Sequence, residues 1–278
     1  MFSSFMINTW IVSTLVAIVA GMVGFFVVLR GSSFAAHALP LGTFPGAAAA
    51  VLLGVNELSG LVVFAAIGVI GISQLGRRGR QDVATALSLV TLLGLGTLFL
   101  SMTREYSQGV YAMLFGQVLG VTDEQIIAIA VMSAASILAV AAMFRPLLFS
   151  SVSPDLAEAG GISSRRMELW FLVVLALGTS MALPVVGALL VFSLMVGPAA
   201  AARALTDRPI IAMLLSIGIA LLTVWTAIGL SYTTNWPVGF FVGTIGALSY
   251  GLGRVWGRLS WRPNPRQRMI VPDAPRTM

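Results

Sequence analysis

The sequence predicts an all-α protein, a polytopic membrane helical bundle of eight or nine transmembrane helices, some of them interrupted, with one short cytoplasmic helix. Three observations predict it. Of the 278 residues, 58% are hydrophobic and only 9% are charged, too little polar surface to cover a soluble globule of that size. Apolar runs of 18 or more residues without a charge recur from end to end, which is the signature of many crossings rather than one anchor. No carboxylate and no arginine falls in the middle of any of these runs.

The first run, 9–29, has no basic residue before it and is too long for the apolar part of a cleaved signal peptide, so it reads as a retained span. Further spans follow at 35–53, 58–75, 83–102 and 125–144. The block 169–202 is 34 residues long. As one helix it would measure roughly 51 Å, against a hydrocarbon core of about 30 Å. It is therefore expected to fold back, with the break at Pro184, which cannot donate a helical hydrogen bond. The last spans are 210–232 and 238–256. Residues 1–256 thus form a transmembrane domain, and 257–278 a basic, Pro-rich cytoplasmic tail expected to lie disordered near anionic lipid.

Orientation follows from arginine. With the N-terminus outside and the long block folded as a hairpin, Arg30, Arg77, Arg78, Arg80, Arg145, Arg165, Arg166, Arg203, Arg208 and the tail arginines fall on the cytoplasmic side, leaving only Arg104 outside. This reading is a multi-pass plasma (inner) membrane protein with a cytoplasmic C-terminus. The net charge of +6 serves orientation in the lipid bilayer, and no nucleic-acid partner is expected. The spacings Gly42-x-x-x-Gly46 and Gly239-x-x-x-Gly243 allow helix backbones to approach closely, as bundles in lipid require.

Chemistry is bounded by what is missing. There is no cysteine, hence no disulfide, thiolate metal site or thiol nucleophile. There is no lysine, so the chain lacks the residue that ends a Walker A phosphate loop and cannot carry that ATP site. One histidine, His37, excludes a paired-His metal motif and leaves a single imidazole at membrane depth. With no carboxylate mid-span, ion-coupled secondary transport lacks its usual intramembrane groups. Pro40, Pro45, Pro184, Pro198 and Pro237 also lie at membrane depth. Pro184, Pro198 and Pro237 are read as helix breaks of the kind that line transport pathways, beside the plainer reading of kinks that shape packing. Met22, Met132, Met143, Met181 and Met195 read as core filler.

The succession VVLRGSSFAAHALPLG, SPDLAEAGGISSRRMELWFLVVLALG, VVGALLVFSLMVGPAAAARAL and GLSYTTNWPVG resembles, in order and spacing over nearly the whole chain, the membrane permeases of the zinc/manganese/iron family of ABC importers. The segment 185–205 and the element 232–239 carry most of the likeness. The resemblance implies a non-enzymatic permease that works as a dimer, with a second copy of this chain as the expected partner subunit. It also implies a cytoplasmic ABC ATPase dimer and an extracytoplasmic metal-binding protein that delivers cargo. No cofactor bound by this chain is expected; the transported metal ion is cargo.

The same resemblance makes the segment Pro154, Asp155, Leu156, Ala157, Glu158, Ala159, Gly160, Gly161, Ile162 the ATPase-coupling helix: a proline start, acid near the N-terminal end and a glycine stop. It places the substrate pathway at Ser33, His37 and Asn235. Family members usually carry aspartate where Ser33 and Asn235 stand here. Neutral oxygens offset the lost hydration of a divalent cation poorly, so either water and backbone carbonyls make most contacts, or the cargo is a metal complex or small organic solute. A third reading, from another class, is a non-transporting membrane scaffold.

Overall fold

A computed structural model describes residues 4–76, 81–102 and 123–260. Among them the elements are α1 (Ser4–Leu29), α2 (Ser33–Leu53), α3 (Glu57–Leu75), α4 (Gln81–Met102), α5 (Asp123–Val152), α6 (Pro154–Ala159), α7 (Ser164–Val186), α8 (Ala188–Leu205), α9 (Pro209–Thr234) and α10 (Val238–Ser260). Eight of these helices are long and apolar enough to cross a membrane, and α8 adds a shorter apolar segment, Leu190–Leu205. No strand occurs among the described residues.

Helix α1 is hydrophobic on every side, which suits a helix enclosed by others rather than one at the surface. It packs against α5, α7, α8 and α9. The apolar windows of α1, α2 and α7 are 72%, 67% and 72% buried, while no other span exceeds 33%, so these three make the centre and the rest face lipid. The core is closed by Phe25, Phe26, Leu172, Leu175, Leu194 and Met195, all fully enclosed. Close backbone approach is real where α2 crosses α3. A Cβ on Gly46 would sit 2.7 Å from the Gly60 carbonyl carbon, so only glycine fits on both helices. Gly243 of the second spacing, by contrast, has nothing within 4 Å.

Contacts fix the directions. Phe26 meets Phe144 and Arg30 meets Ser150, so α1 and α5 run parallel. Arg30 also meets Phe171, while Val19 and Val23 flank Gly178, so α7 runs against α1. Trp225 donates to Thr14 at 3.0 Å and Ser216 to the Gly21 carbonyl at 2.7 Å, which makes α9 antiparallel to α1 as well. Helix α8 runs beside α10 in the same sense, Leu190 against Gly239 and Ala201 against Gly253. Since α10 reverses α9, both α8 and α10 run with α1. The long block therefore does fold back into the hairpin α7–α8.

The bend, however, is not at Pro184. Pro184 lies inside α7, and Pro198 lies inside α8. Each removes one hydrogen-bond donor, but a fixed φ near −65° is compatible with the helix around it. The reversal occurs at Gly187, with φ 86° and ψ 150°, a region essentially closed to residues with a Cβ. Its carbonyl accepts from Leu190 and Val191, which satisfies a buried backbone that has no water to turn to. Of the three expected breaks only Pro237 lies between helices, where its carbonyl accepts from Phe240 at 3.1 Å. Helix α5 also overruns the expected end at 144. It continues to Val152 through Pro146, its last turn closed by Ser150 and Ser151 donating to the Leu147 carbonyl. Helix α10 passes the expected domain boundary at 256 and reaches Ser260; the rest of the tail lies outside the described residues.

Candidate functional site

Helix α2 begins in a tight corner after α1. Ser32 N–H donates to the Val27 carbonyl at 3.0 Å and Gly31 N–H to Val28 at 3.3 Å, with Gly31 at φ 67°, the two reciprocal bonds of a Schellman ending. Ser33 is the first residue of α2, and His37 follows one turn later on the same face. The His37 ring stands edge-on to Phe192 of α8, centroids 5.1 Å apart at 74°. Its Nδ1 is buried without a hydrogen-bond partner. A buried polar nitrogen left so costs about 1–3 kcal/mol, and this one lies at the α2–α8 seam.

Asn235 does not join it. The residue is exposed, closes α9 with φ 58° and ψ 22°, and donates its N–H to Ser231 at 2.9 Å. Asparagine tolerates this left-handed conformation better than most residues, which gives the position a local reason. It sits at the end of the bundle where α1 starts, whereas α2 starts at the other end beside Arg30, and α8 lies between α2 and α9. Ser33 and His37 thus come together, and Asn235 stands apart. Among the described residues no group of three or more His, Cys, Asp or Glu side chains gathers to hold a metal ion.

The segment after α5 forms the short helix α6 with Pro154 in its first turn and Asp155 beside it. Ala157 is its buried contact with the bundle, and Asp155, Leu156 and Glu158 point outward, Leu156 with 63% of its surface exposed. Gly160 follows the last helical residue, and Gly161, at φ 82°, completes the turn with Ile162 N–H donating to Ala157 at 2.9 Å. An apolar tip between two carboxylates, held by a rigid ending, is a shape that can seat in a groove.

Sequence reasoning missed how the end of α1 is tied to the two helices that flank α6. Arg30 Nη1 donates to Ser150 Oγ at 3.2 Å and Ser151 Oγ at 3.0 Å, and its guanidinium lies 5.2 Å from the Phe171 ring centroid. Burial lowers the Arg30 pKa from its ordinary value, opposed by the charge of Glu168. The partners lie some 120 residues away in the chain, and no local pattern announces them; an arginine right after a span reads only as an orientation signal. Every arginine whose side chain is described, namely Arg30, Arg145, Arg165, Arg166, Arg203, Arg208 and Arg254, lies toward this same end of the bundle.

Comparison with known proteins accords with this architecture. A family model described as the ABC 3 transport family matches residues 2–252. The manganese transport system membrane protein MntC of Listeria innocua is 32% identical over 206 residues, 73% of this chain and 73% of its own length. The chelated iron transport system membrane protein YfeC of Yersinia pestis is 28% identical over 251 residues, 89% of this chain and 84% of its own. The solved structure of PsaBC from Streptococcus pneumoniae in complex with Fab aligns with a TM-score of 0.82 at 26% identity, over 96% of this chain and 94% of that one.

Proposed function

The chain belongs to the ABC 3 transport family, and we propose that it is the permease subunit of an ATP-driven importer whose cargo is a transition-metal cation, manganese ahead of zinc and iron. The observation that carries the reading is His37: the one imidazole of the chain, one turn into an apolar helix long enough to cross a membrane, with a buried Nδ1 that lacks a partner. With Ser33 as its neighbour and backbone carbonyls and water as the remaining donors, the set is one nitrogen among oxygens. That set suits a harder divalent ion better than a zinc site built from several imidazoles or thiolates. The name of the Listeria relative supports the same choice.

The chain supplies a path, and a partner supplies the energy. Lysine is absent, so nucleotide is bound and hydrolysed by a separate ATPase pair. The arginine-rich end is cytoplasmic by the positive-inside rule, which puts α6 and the end of α10 on the ATPase side. Nucleotide binding displaces α6 through Leu156, Asp155 and Glu158, and the bundle changes which end of the α2–α8 seam is open. Two copies of this chain and an extracytoplasmic binding protein that presents the ion complete the importer.

The test is uptake of radioactive manganese and zinc by the intact complex in proteoliposomes, with ATP inside or outside. Manganese uptake that depends on ATP and falls at least tenfold in His37→Ala, with the complex still assembled, is the expected result. Uptake of a metal chelate or organic solute in place of either ion overturns the cation reading.

A further inference from the structure

We propose that Arg30 is a positioning residue that carries the displacement of α6 to the α1–α2 corner and so to Ser33 and His37. This rests on the proposed function, since it takes α6 to be the element that the ATPase moves. An arginine that merely marks the cytoplasmic face would extend toward headgroups or water. Arg30 instead turns inward, and its contacts come from both helices that flank α6. Ser150 and Ser151 stand three to four residues before Pro154, and Phe171 stands in the second turn of α7. The acceptors are set in advance: both hydroxyls donate their own protons to the Leu147 carbonyl, at 3.1 Å and 2.5 Å, which leaves their lone pairs facing the guanidinium. Charge-assisted bonds of this kind are roughly twice as strong as neutral ones, and two of them from the single Nη1 fix direction as well as distance.

On its other side the residue is equally constrained. Arg30 N–H donates to Phe26 at 2.9 Å, and the Gly31–Ser32 bonds to Val28 and Val27 lock the corner that starts α2. No flexible linker therefore intervenes between the guanidinium and His37, seven residues on. A tilt of α6 that moves the end of α5 and the start of α7 pulls Arg30, and the corner follows. The imidazole is then displaced relative to Phe192 on α8, which packs most extensively on α10 and meets α1 along its length rather than at the corner.

This chain has no cysteine of its own, so paired spin labels can be placed in it and the complex assembled afterwards with unlabelled partner chains. The pair Ala159→Cys with Ile210→Cys reports α6, and the pair Phe34→Cys with Ile210→Cys reports the start of α2; all three positions are exposed. Nucleotide is expected to shift both distances in the parent. In Arg30→Gln the α6 shift remains and at least half of the α2 shift is lost, with ATP hydrolysis within about twofold and metal moved per ATP down at least tenfold. Arg30→Lys, which keeps the charge, restores part of the α2 shift. Ser150→Ala/Ser151→Ala, which leaves Arg30 in place, gives the same uncoupling more weakly and serves should Arg30→Gln fail to assemble. An undiminished α2 shift in either variant overturns the inference and leaves the proposed function standing. A parent complex whose α6 ignores nucleotide overturns both.

Discussion

Replacing Gly21 by alanine tests whether the α1–α9 seam is as close as the fold requires. The new Cβ would lie 2.6 Å from Ile217 Cα, 2.9 Å from Ile217 N and 2.9 Å from the Ser216 carbonyl oxygen, all backbone atoms that no rotamer change removes. Ordinary carbon contacts need about 3.5–4.0 Å, so α9 must retreat by roughly 1 Å. That retreat stretches the 2.7 Å bond from Ser216 Oγ to the Gly21 carbonyl beyond hydrogen-bonding range. Overpacking costs about 1–3 kcal/mol, and a fully buried hydroxyl losing its partner adds about 1–3 kcal/mol. A total near 4 kcal/mol corresponds to a fall in melting midpoint of roughly 8–16 °C for a chain of this size. The assay is thermal unfolding of the purified chain in detergent, beside Gly218→Ala as the control. Gly218 lies on the same helix, one residue from Ile217, yet has nothing within 4 Å. Alanine there should raise the midpoint slightly, by the about 0.5–1 kcal/mol that glycine forfeits in a helix. In the double variant Gly21→Ala/Ser216→Ala the two costs should not add, because the first has already broken the bond that the second removes. A Gly21→Ala midpoint within about 2 °C of the parent, where the ordinary relation predicts several times that, refutes the seam.

Two further outcomes follow from the backbone. Gly187→Ala forces a Cβ into the φ 86°, ψ 150° bend and should cost about 1–3 kcal/mol, read as a lower unfolding midpoint, whereas Pro184→Ala should leave the hairpin intact and the midpoint at or above that of the parent. Asn235→Gly should change stability by less than about 1 kcal/mol, since glycine is the commoner residue at a left-handed helix end, and should leave metal uptake by the complex unchanged. A fivefold loss of uptake in Asn235→Gly would return that side chain to the pathway.

Spans, count and hairpin were legible because each is a property of composition along one segment. An apolar run reports the thickness it must cross, and a block too long for one crossing must turn. The turn itself was misplaced because proline and glycine act differently. Proline weakens a helix at a place where neighbouring helices tolerate the loss, and it stays in Pro184 and Pro198 alike. Gly187 alone offers the dihedral angles a reversal in so little space needs, and nothing in the letters around it distinguishes it from Gly178 a few residues earlier, which stays helical against Val19 and Met195.

The site was legible only in part, for a related reason. Ser33 and His37 share a helix face by spacing alone, and α6 declares itself by its proline and glycines. Asn235 was grouped with His37 through resemblance, and helix direction separates them: α2 starts where α9 also starts, so Asn235 at the far end of α9 lies nearly a helix length from His37, one turn into α2. On the proposed function, a cation at His37 would meet one imidazole nitrogen and, among the described residues, no cluster of three or more His, Cys, Asp or Glu side chains. Weak binding at that point is compatible with transport, because an ion held by several anionic ligands must be pulled from them at each cycle, while one held by an imidazole and water is released by a small displacement of the ring.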